Sequence, residues 1–141
     1  MFQLIYVSMA CEPFSQERLR RLLKTSRANN ADKDVTGMLL YKNDSFMQAL
    51  EGPEDDVRAL YDRICEDERH ENVRMLMAAP VDERSFPDWA MGFENVSELS
   101  PQEMPASYVE LAGKRFTNEA YTRDPDFAHQ TLLGFKNRSF T

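Results

Sequence analysis

Two hydrophobic periods organise the chain. Apolar side chains recur at every second position in residues 2–8 and 45–52, which is typical of half-buried strands. They recur at every third or fourth position in residues 15–29 and 53–64, which predicts amphipathic helices. The first part of the chain therefore combines strands and helices in alternation.

Local signals mark where these elements begin and end. Ser15 is a candidate N-cap for the first helix, and Pro53 followed by three acidic residues favours the start of the second. Between the helices, residues 35–42 are rich in apolar side chains and predict a strand. Asn43-Asp44 predicts a tight turn that joins this strand to residues 45–52 as an antiparallel hairpin.

The pattern continues with weaker signals after the second helix. A charged exit loop is expected over residues 66–72, followed by a strand over residues 73–83. The stretch WAMGFE predicts a short last strand, and residues 101–112 and 124–136 favour two further helices. Along residues 73–83 the apolar positions share one side of the predicted strand: Val73, Met75, Met77, Ala79 and Val81.

This order of elements predicts a ferredoxin-like α+β fold, β-α-β-β-α-β-β. The two strands of a strand–helix–strand unit run parallel, and two such units joined through a hairpin place both helices on one face of a mixed sheet. Met38, Leu40 and Met47 belong to the opposite face. We expect the C-terminal helical segment or a second copy of the chain to cover them.

One polar residue interrupts an apolar strand. In SFMQALEG, Gln48 shares a face with Phe46 and Leu50, whereas Met47 and Ala49 point the other way. A buried side-chain amide without partners costs about 1–3 kcal/mol. A hydrogen-bonding partner for Gln48 is therefore expected on the helix-facing side of the sheet.

Other polar side chains are predicted to converge on the same layer. Tyr6 alternates with Phe2 and Leu4, and the leucine stripe of the first helix continues into amide and hydroxyl positions. These positions are Ser26, Asn29 and Asn30. A phenol, a hydroxyl and several amides do not provide the groups of a hydrolytic triad or the usual ligands of a metal. Amides both donate and accept hydrogen bonds, so they suit the imide edge of a flat heterocycle.

Ordinary structural roles also account for several of these residues. A buried tyrosine such as Tyr6 commonly donates to a backbone carbonyl. Asn29 and Asn30 are suited to ending a helix, because asparagine tolerates the left-handed conformation. The pattern alone assigns Trp89 and Met91 of the last strand to the hydrophobic core. Gln48 has no comparable local explanation.

Composition narrows the class of protein. The chain has 141 residues, 42% of them hydrophobic, which suits one domain with a core. Its formal charge of −7 argues against general binding to nucleic acid or to an anionic membrane. No signal peptide or membrane-spanning segment is indicated, so a cytoplasmic protein is expected. Cys11 and Cys65 lie far apart in the sequence and are expected to be reduced thiols.

The motifs identify a resemblance to a known family. Over residues 1–95 the chain resembles the BLUF domains, which are blue-light sensors that use flavin. The resemblance is carried, in this order and spacing, by LIYVS, SRANN with VTGMLLY, FMQALEG, DERH at 67–70, and FPDWAM. The family has the ferredoxin-like order of elements described above.

The resemblance implies roles for individual residues. Tyr6 matches the tyrosine that gives an electron and a proton to excited flavin, and Gln48 matches the glutamine between that tyrosine and the flavin. Trp89 and Met91 match residues of the last strand that alternate in packing against the site. The other implied flavin contacts are Ser26, Asn29, Asn30, Arg69 and His70. FAD is the family's usual cofactor, although these residues do not distinguish it from FMN or riboflavin.

The resemblance also implies a mechanism without turnover. The electron and proton return to Tyr6, and what remains is a rearranged Gln48 whose new hydrogen bond shifts flavin absorption to the red. The expected function is therefore a photoreceptor rather than an enzyme. The signal would leave through the last strand and the segment after it.

The alternatives are a ligand-free ferredoxin-like dimerisation or regulatory module and a small hydrolase on the same fold. The hydrolase is disfavoured because the loop MACEPF has neither a basic residue nor a glycine. We expect residues 1–95 to form the flavin-binding domain and residues 96–141 a helical extension for relay or oligomer contacts. That extension is shorter than a typical catalytic domain of about 100–150 residues. The expected partners are therefore a downstream protein and a second copy of the chain in a homo-oligomer.

Overall fold

Five strands form one mixed sheet in the computed structural model, which describes residues 1–87, 90–99, 115–117 and 119–136. The strands are β1 (Phe2–Ala10), β2 (Thr36–Lys42), β3 (Ser45–Gly52), β4 (His70–Pro80) and β5 (Gly92–Asn95). Their order across the sheet is β4-β1-β3-β2-β5. β5 runs parallel to β2, and the other neighbouring pairs are antiparallel.

The described helices are α1 (Gln16–Ala31), α2 (Glu54–Glu66), α3 (Glu119–Arg123) and α4 (Pro125–Lys136). The first two begin where the sequence signals predict, whereas α3 was not predicted from the sequence. The Ser15 hydroxyl caps α1 by accepting a hydrogen bond from the backbone N–H of Arg18 at 3.2 Å. Pro53 precedes α2, whose first turn carries three acidic side chains that favour the positive end of the helix dipole.

The connectivity confirms the ferredoxin-like prediction. β1 and β2 run parallel to each other with β3 between them, and β3 and β4 run parallel with β1 between them. Each strand–helix–strand unit is thus split by one strand of the other unit. The turn between β2 and β3 uses left-handed backbone at Asn43 (φ 48°) and Asp44 (φ 62°), which matches the twist of a two-residue hairpin.

The sheet separates two hydrophobic cores, as the alternation along β1 and β3 predicts. The inner face packs against α1 and α2, through Leu19, Leu22, Leu23 and Val57. The outer face packs against α4, through Ala128, Leu132 and Phe135. Met38, Leu40 and Met47 are fully buried in this outer core, so the C-terminal helix covers them.

The prediction for β4 is wrong in two respects. The strand begins at His70, so the expected exit loop over residues 66–72 shortens to residues 67–69. The pairing of β4 with β1 also shifts register twice, between Ile5 and Tyr6 and between Val7 and Met9. Each bulge inserts one residue and reverses the alternation. Val73 consequently packs in the inner core and Met77 in the outer core instead of sharing one side.

The chain after β4 agrees with the sequence in part. The predicted last strand over WAMGFE is found later, at Gly92–Asn95, with Met91 immediately before it and Trp89 outside the described residues. The helix expected near residues 101–112 also lies outside them. The helix expected over 124–136 is confirmed as α4.

Within the described ranges, no helix has the length and apolarity needed to cross a bilayer. Cys11 and Cys65 are exposed free thiols.

A buried carboxylate joins the loop after β4 to the outer face. Glu51 is completely buried, and its carboxylate accepts the backbone N–H groups of Ser85 and Phe86, both at 2.7 Å. It also accepts the side-chain amide of Gln3 at 2.8 Å. Ser85 in turn lies 3.2 Å from the ring of His129 in α4, so the contact extends to the C-terminal helix.

This arrangement predicts that Glu51→Gln destabilises the fold by about 1–3 kcal/mol. In the variant, an –NH₂ group replaces one carboxylate oxygen and can only donate. It would face a backbone N–H donor and leave that buried N–H unsatisfied. Urea unfolding followed by circular dichroism measures the change. Glu54→Gln is the matched control, because Glu54 is exposed, pairs with Arg58 at the surface and lies in the first turn of α2; its effect should stay below about 1 kcal/mol. Equal effects in the two variants would show that the Glu51 contacts contribute little.

Candidate functional site

A cavity of about 240 Å³ lies between the inner face of the sheet and the two helices. Its walls are apolar where Leu22, Leu39 and Leu60 line it. Its polar lining includes every residue that the sequence placed at the site from β1, α1, β3, the turn after α2 and the start of β4. These are Tyr6, Ser26, Asn29, Asn30, Gln48, Arg69 and His70.

Tyr6 and Gln48 form a buried hydrogen-bonded pair on the cavity wall. They are direct cross-strand neighbours in the β1–β3 register, so both side chains emerge on the inner face. The Tyr6 hydroxyl donates to Oε1 of Gln48. Tyr6 is 1% exposed and Gln48 5% exposed, so water contributes little to either side chain. The partner that the sequence required for Gln48 is thus the phenol.

The other end of the Gln48 amide contacts the segment before β5. Its Nε2 donates to the sulfur of Met91 at 3.2 Å. A thioether is a weak acceptor, so this contact is weaker than the phenol–carbonyl bond. Met91 itself is completely buried in the inner core.

Burial keeps the Tyr6 phenol neutral. Desolvation raises the pKa of Tyr6 far above its usual value, with smaller contributions from Tyr61, Cys65 and Asp67 nearby. The Tyr6 and Tyr61 rings lie 5.7 Å apart between centroids. The phenol therefore holds its proton at neutral pH and remains a hydrogen-bond donor.

The C-terminal half of α1 holds the segment that contains Met91. Nδ2 of Asn30 donates to the backbone carbonyl of Ala90 at 2.8 Å, and Nε of Arg27 donates to that of Met91 at 2.9 Å. Ser26 and Asn29 are half-buried beside the cavity. Because α1 continues to Ala31, the alternative in which the two asparagines end the helix is wrong.

The two basic residues after α2 differ in charge and surroundings. Arg69 pairs with Asp67 at 2.6 Å, and this hydrogen bond lowers the pKa of Asp67 and raises that of Arg69. His70 opens β4, and its Nδ1 lies 3.1 Å from the hydroxyl of Ser8. Burial lowers the pKa of His70, so the ring is neutral at neutral pH and only Arg69 carries charge there.

Several contributors were not predicted from the sequence. Arg63 and Asp67 line the cavity from the end of α2 and the turn after it, and Arg27 fixes the Met91 carbonyl. Arg63 lies next to the apolar position Ile64, which places it at the edge of the predicted stripe. The contact of Arg27 depends on the long-range path of residues 90–91, which no local pattern encodes.

The donor set fits a flavin. A flat ring system needs apolar walls for its faces and paired donors and acceptors at its imide edge, and the cavity supplies leucines for the first and amides for the second. Nothing in the described part of the chain gathers three His, Cys, Asp or Glu side chains into a group that could hold a metal. The fit is therefore to an organic cofactor held by neutral polar groups and one or two cations.

Comparison with known proteins agrees with this geometry. Over residues 1–92 the chain matches the family model of BLUF, described as sensors of blue-light using FAD. It is 33% identical over 130 residues, or 91% of this chain, to the photoactivated adenylate cyclase subunit beta-like protein FB of Euglena gracilis. The chain spans only 15% of the length of that relative.

Solved structures give the same result. The photo-activated state of BlsA has a TM-score of 0.75 and 26% identity, with 94% of each chain covered. A bacterial light-regulated adenylyl cyclase has a TM-score of 0.66 and 39% identity, over 71% of this chain and 29% of that one. Together with the cavity and its buried phenol–amide pair, these matches show that the chain belongs to the BLUF family of blue-light sensors that use flavin.

Proposed function

We propose that this chain senses blue light through the Tyr6–Gln48 pair and passes the change to a partner through Met91 and β5. The observation that carries the proposal is the buried hydrogen bond between the two side chains on the wall of the cavity. When bound there, the flavin supplies blue-light absorption and the oxidising power that none of the side chains has.

Tyr6 is the residue suited to give up an electron and a proton. Loss of an electron makes a phenol strongly acidic, and its proton already lies in a hydrogen bond to Oε1 of Gln48. The proton can therefore move directly to Oε1 of Gln48 without passing through solvent. Return of both particles to Tyr6 restores the phenol, so the cycle needs no substrate and has no product.

Gln48 is the residue suited to keep a changed arrangement after the electron and proton have returned to Tyr6. Its amide can rotate or adopt an imidic form while its Oε1 holds the proton, and it then settles with different partners. Each exchanged hydrogen bond is worth about 1 kcal/mol, and more in a low dielectric. A difference of that size is enough to bias a two-state element.

Met91 is the residue that would register the change. It loses its contact with Nε2 when Gln48 turns, and its backbone leads directly into β5. Trp89 is proposed to share this role, in alternation with Met91. The relay would continue into the residues after 96, with residues 1–95 as the sensing domain and 96–141 as the extension.

The cofactor is proposed to be FAD, held by side chains from three elements. Asn30 and Asn29 would bind the imide edge with support from Ser26, and Arg69 would approach the phosphate end. His70, being neutral, would act as a hydrogen-bonding group rather than as a cation.

The output is proposed to be a protein contact rather than a reaction on this chain. The candidates are a separate downstream protein and a changed homo-oligomer in the cytoplasm. If the chain is part of a longer one, a covalently joined effector comparable to the cyclases of the relatives would take that place.

Illumination of the purified protein tests the proposal directly. It should be yellow, and its visible absorption should shift to the red under blue light and return in the dark. Colourless protein that takes up no added flavin would instead favour a ligand-free regulatory module.

Tyr6→Phe should bind flavin but lose the light-induced shift, because phenylalanine has no proton or easily removed electron to give. Steady-state absorption before and after blue light measures this. Tyr41→Phe is the matched control, since the Tyr41 hydroxyl bonds Asp44 and the Phe14 backbone away from the cavity. A normal shift in Tyr6→Phe would exclude Tyr6 as the donor.

Gln48→Leu should also retain flavin and lose the shift, because leucine fills a similar volume but cannot exchange hydrogen bonds. Time-resolved absorption should still detect electron loss from Tyr6, which separates this variant from Tyr6→Phe. Gln16→Leu, at an exposed position on α1, serves as the control. A persistent red shift in Gln48→Leu would contradict the role of the amide.

A further inference from the structure

A second cavity, of about 420 Å³, lies on the opposite face of the sheet from the site described above. Val7 and Met9 of β1 form its apolar floor, and Arg74 of β4 lines one side. The segment before α3 contributes Arg115 and Thr117. It shares no residue with the inner cavity.

The bulge in β4 creates the polar wall of this cavity. Val7 pairs with Arg74 and Met9 with Glu71, so Ser8 faces two residues of β4 instead of one. Residues 71 and 74 would fall on opposite faces of a regular strand, whereas the inserted residue brings both to the outer face. Asn72 supplies the left-handed backbone (φ 53°) that the bulge requires.

The opposite wall is fixed by a buried aromatic residue. Phe116 is 1% exposed in the outer core, and its backbone N–H donates to the hydroxyl of Ser45 at 2.9 Å. Thr117 contacts the sulfur of Met9 at 3.5 Å. These contacts hold Arg115, which directly precedes Phe116 in the chain, beside the sheet.

The two arginines determine which ligand suits the cavity. Neither Arg74 nor Arg115 has a carboxylate partner within the ranges that the structure describes. Guanidinium groups bind phosphate oxygens through paired hydrogen bonds, and two threonines, Thr117 and Thr122, also line the cavity.

The remaining lining distinguishes an organic phosphate from a bare ion. Glu71 is an acceptor that repels anions but binds hydroxyl groups, and the volume exceeds that of a single phosphate group. We propose that this outer cavity binds a small hydroxylated phosphate monoester, with the phosphate between Arg74 and Arg115 and a hydroxyl group on Glu71. The proposal is independent of flavin binding.

Calorimetric titration of the full chain in the dark, in phosphate-free buffer of low ionic strength, tests this site. Ribose 5-phosphate should bind saturably at one site per chain and more tightly than inorganic phosphate. Arg74→Gln and Arg115→Gln should each raise its dissociation constant about tenfold or more, as expected for a lost charged hydrogen bond. Arg21→Gln, on the exposed side of α1, should leave it unchanged.

Glu71→Gln provides an independent arm. It should strengthen binding of inorganic phosphate, because a negative charge is removed, and reduce the preference for ribose 5-phosphate. Circular dichroism confirms that each variant is folded. The proposal is overturned by the absence of saturable binding, by binding that survives both arginine substitutions, or by inorganic phosphate binding as tightly as the ester.

Discussion

The buried hydrogen bond between Tyr6 and Gln48 is the constraint on which the inner site depends. A phenol and an amide on neighbouring strands must both lose water, and the phenol O–H and the amide carbonyl satisfy each other there. Their pairing in turn requires the β1–β3 register, since a slip of one residue would turn either side chain to the outer face. The sheet, and not the cavity alone, therefore positions the pair.

Much of this arrangement could be predicted from local patterns. Alternation along β1 and β3 placed Tyr6 and Gln48 in one layer, and the N-terminal signals at Ser15 and Pro53 gave the starts of α1 and α2. The bulges of β4 could not be predicted, because a bulge is defined by the pairing of β4 with β1 and not by the sequence of β4 alone. His70 looked basic in the sequence, but its protonation depends on burial by neighbours distant in the chain.

Met91 shows a different limit of sequence reasoning. A methionine on an apolar strand predicts core, and the structure confirms that it is buried. Its sulfur, however, accepts the Gln48 amide while its carbonyl accepts Arg27, so one residue joins β3 to α1. Met91 is both packed in the core and hydrogen-bonded, and a hydrophobic pattern in the sequence predicts only the packing.

The hydrogen bonds at the two ends of the Gln48 amide differ in strength. The carbonyl end accepts a strong bond from a phenol, whereas the amino end donates to a thioether, which is a weak acceptor. Exchanging the second contact costs less than exchanging the first. Met47 and Ala49, on either side of Gln48, are fully buried under the outer core, so the backbone of β3 has little room to follow the amide. The movement that we propose for Gln48 would therefore follow the inner face toward Met91 and β5.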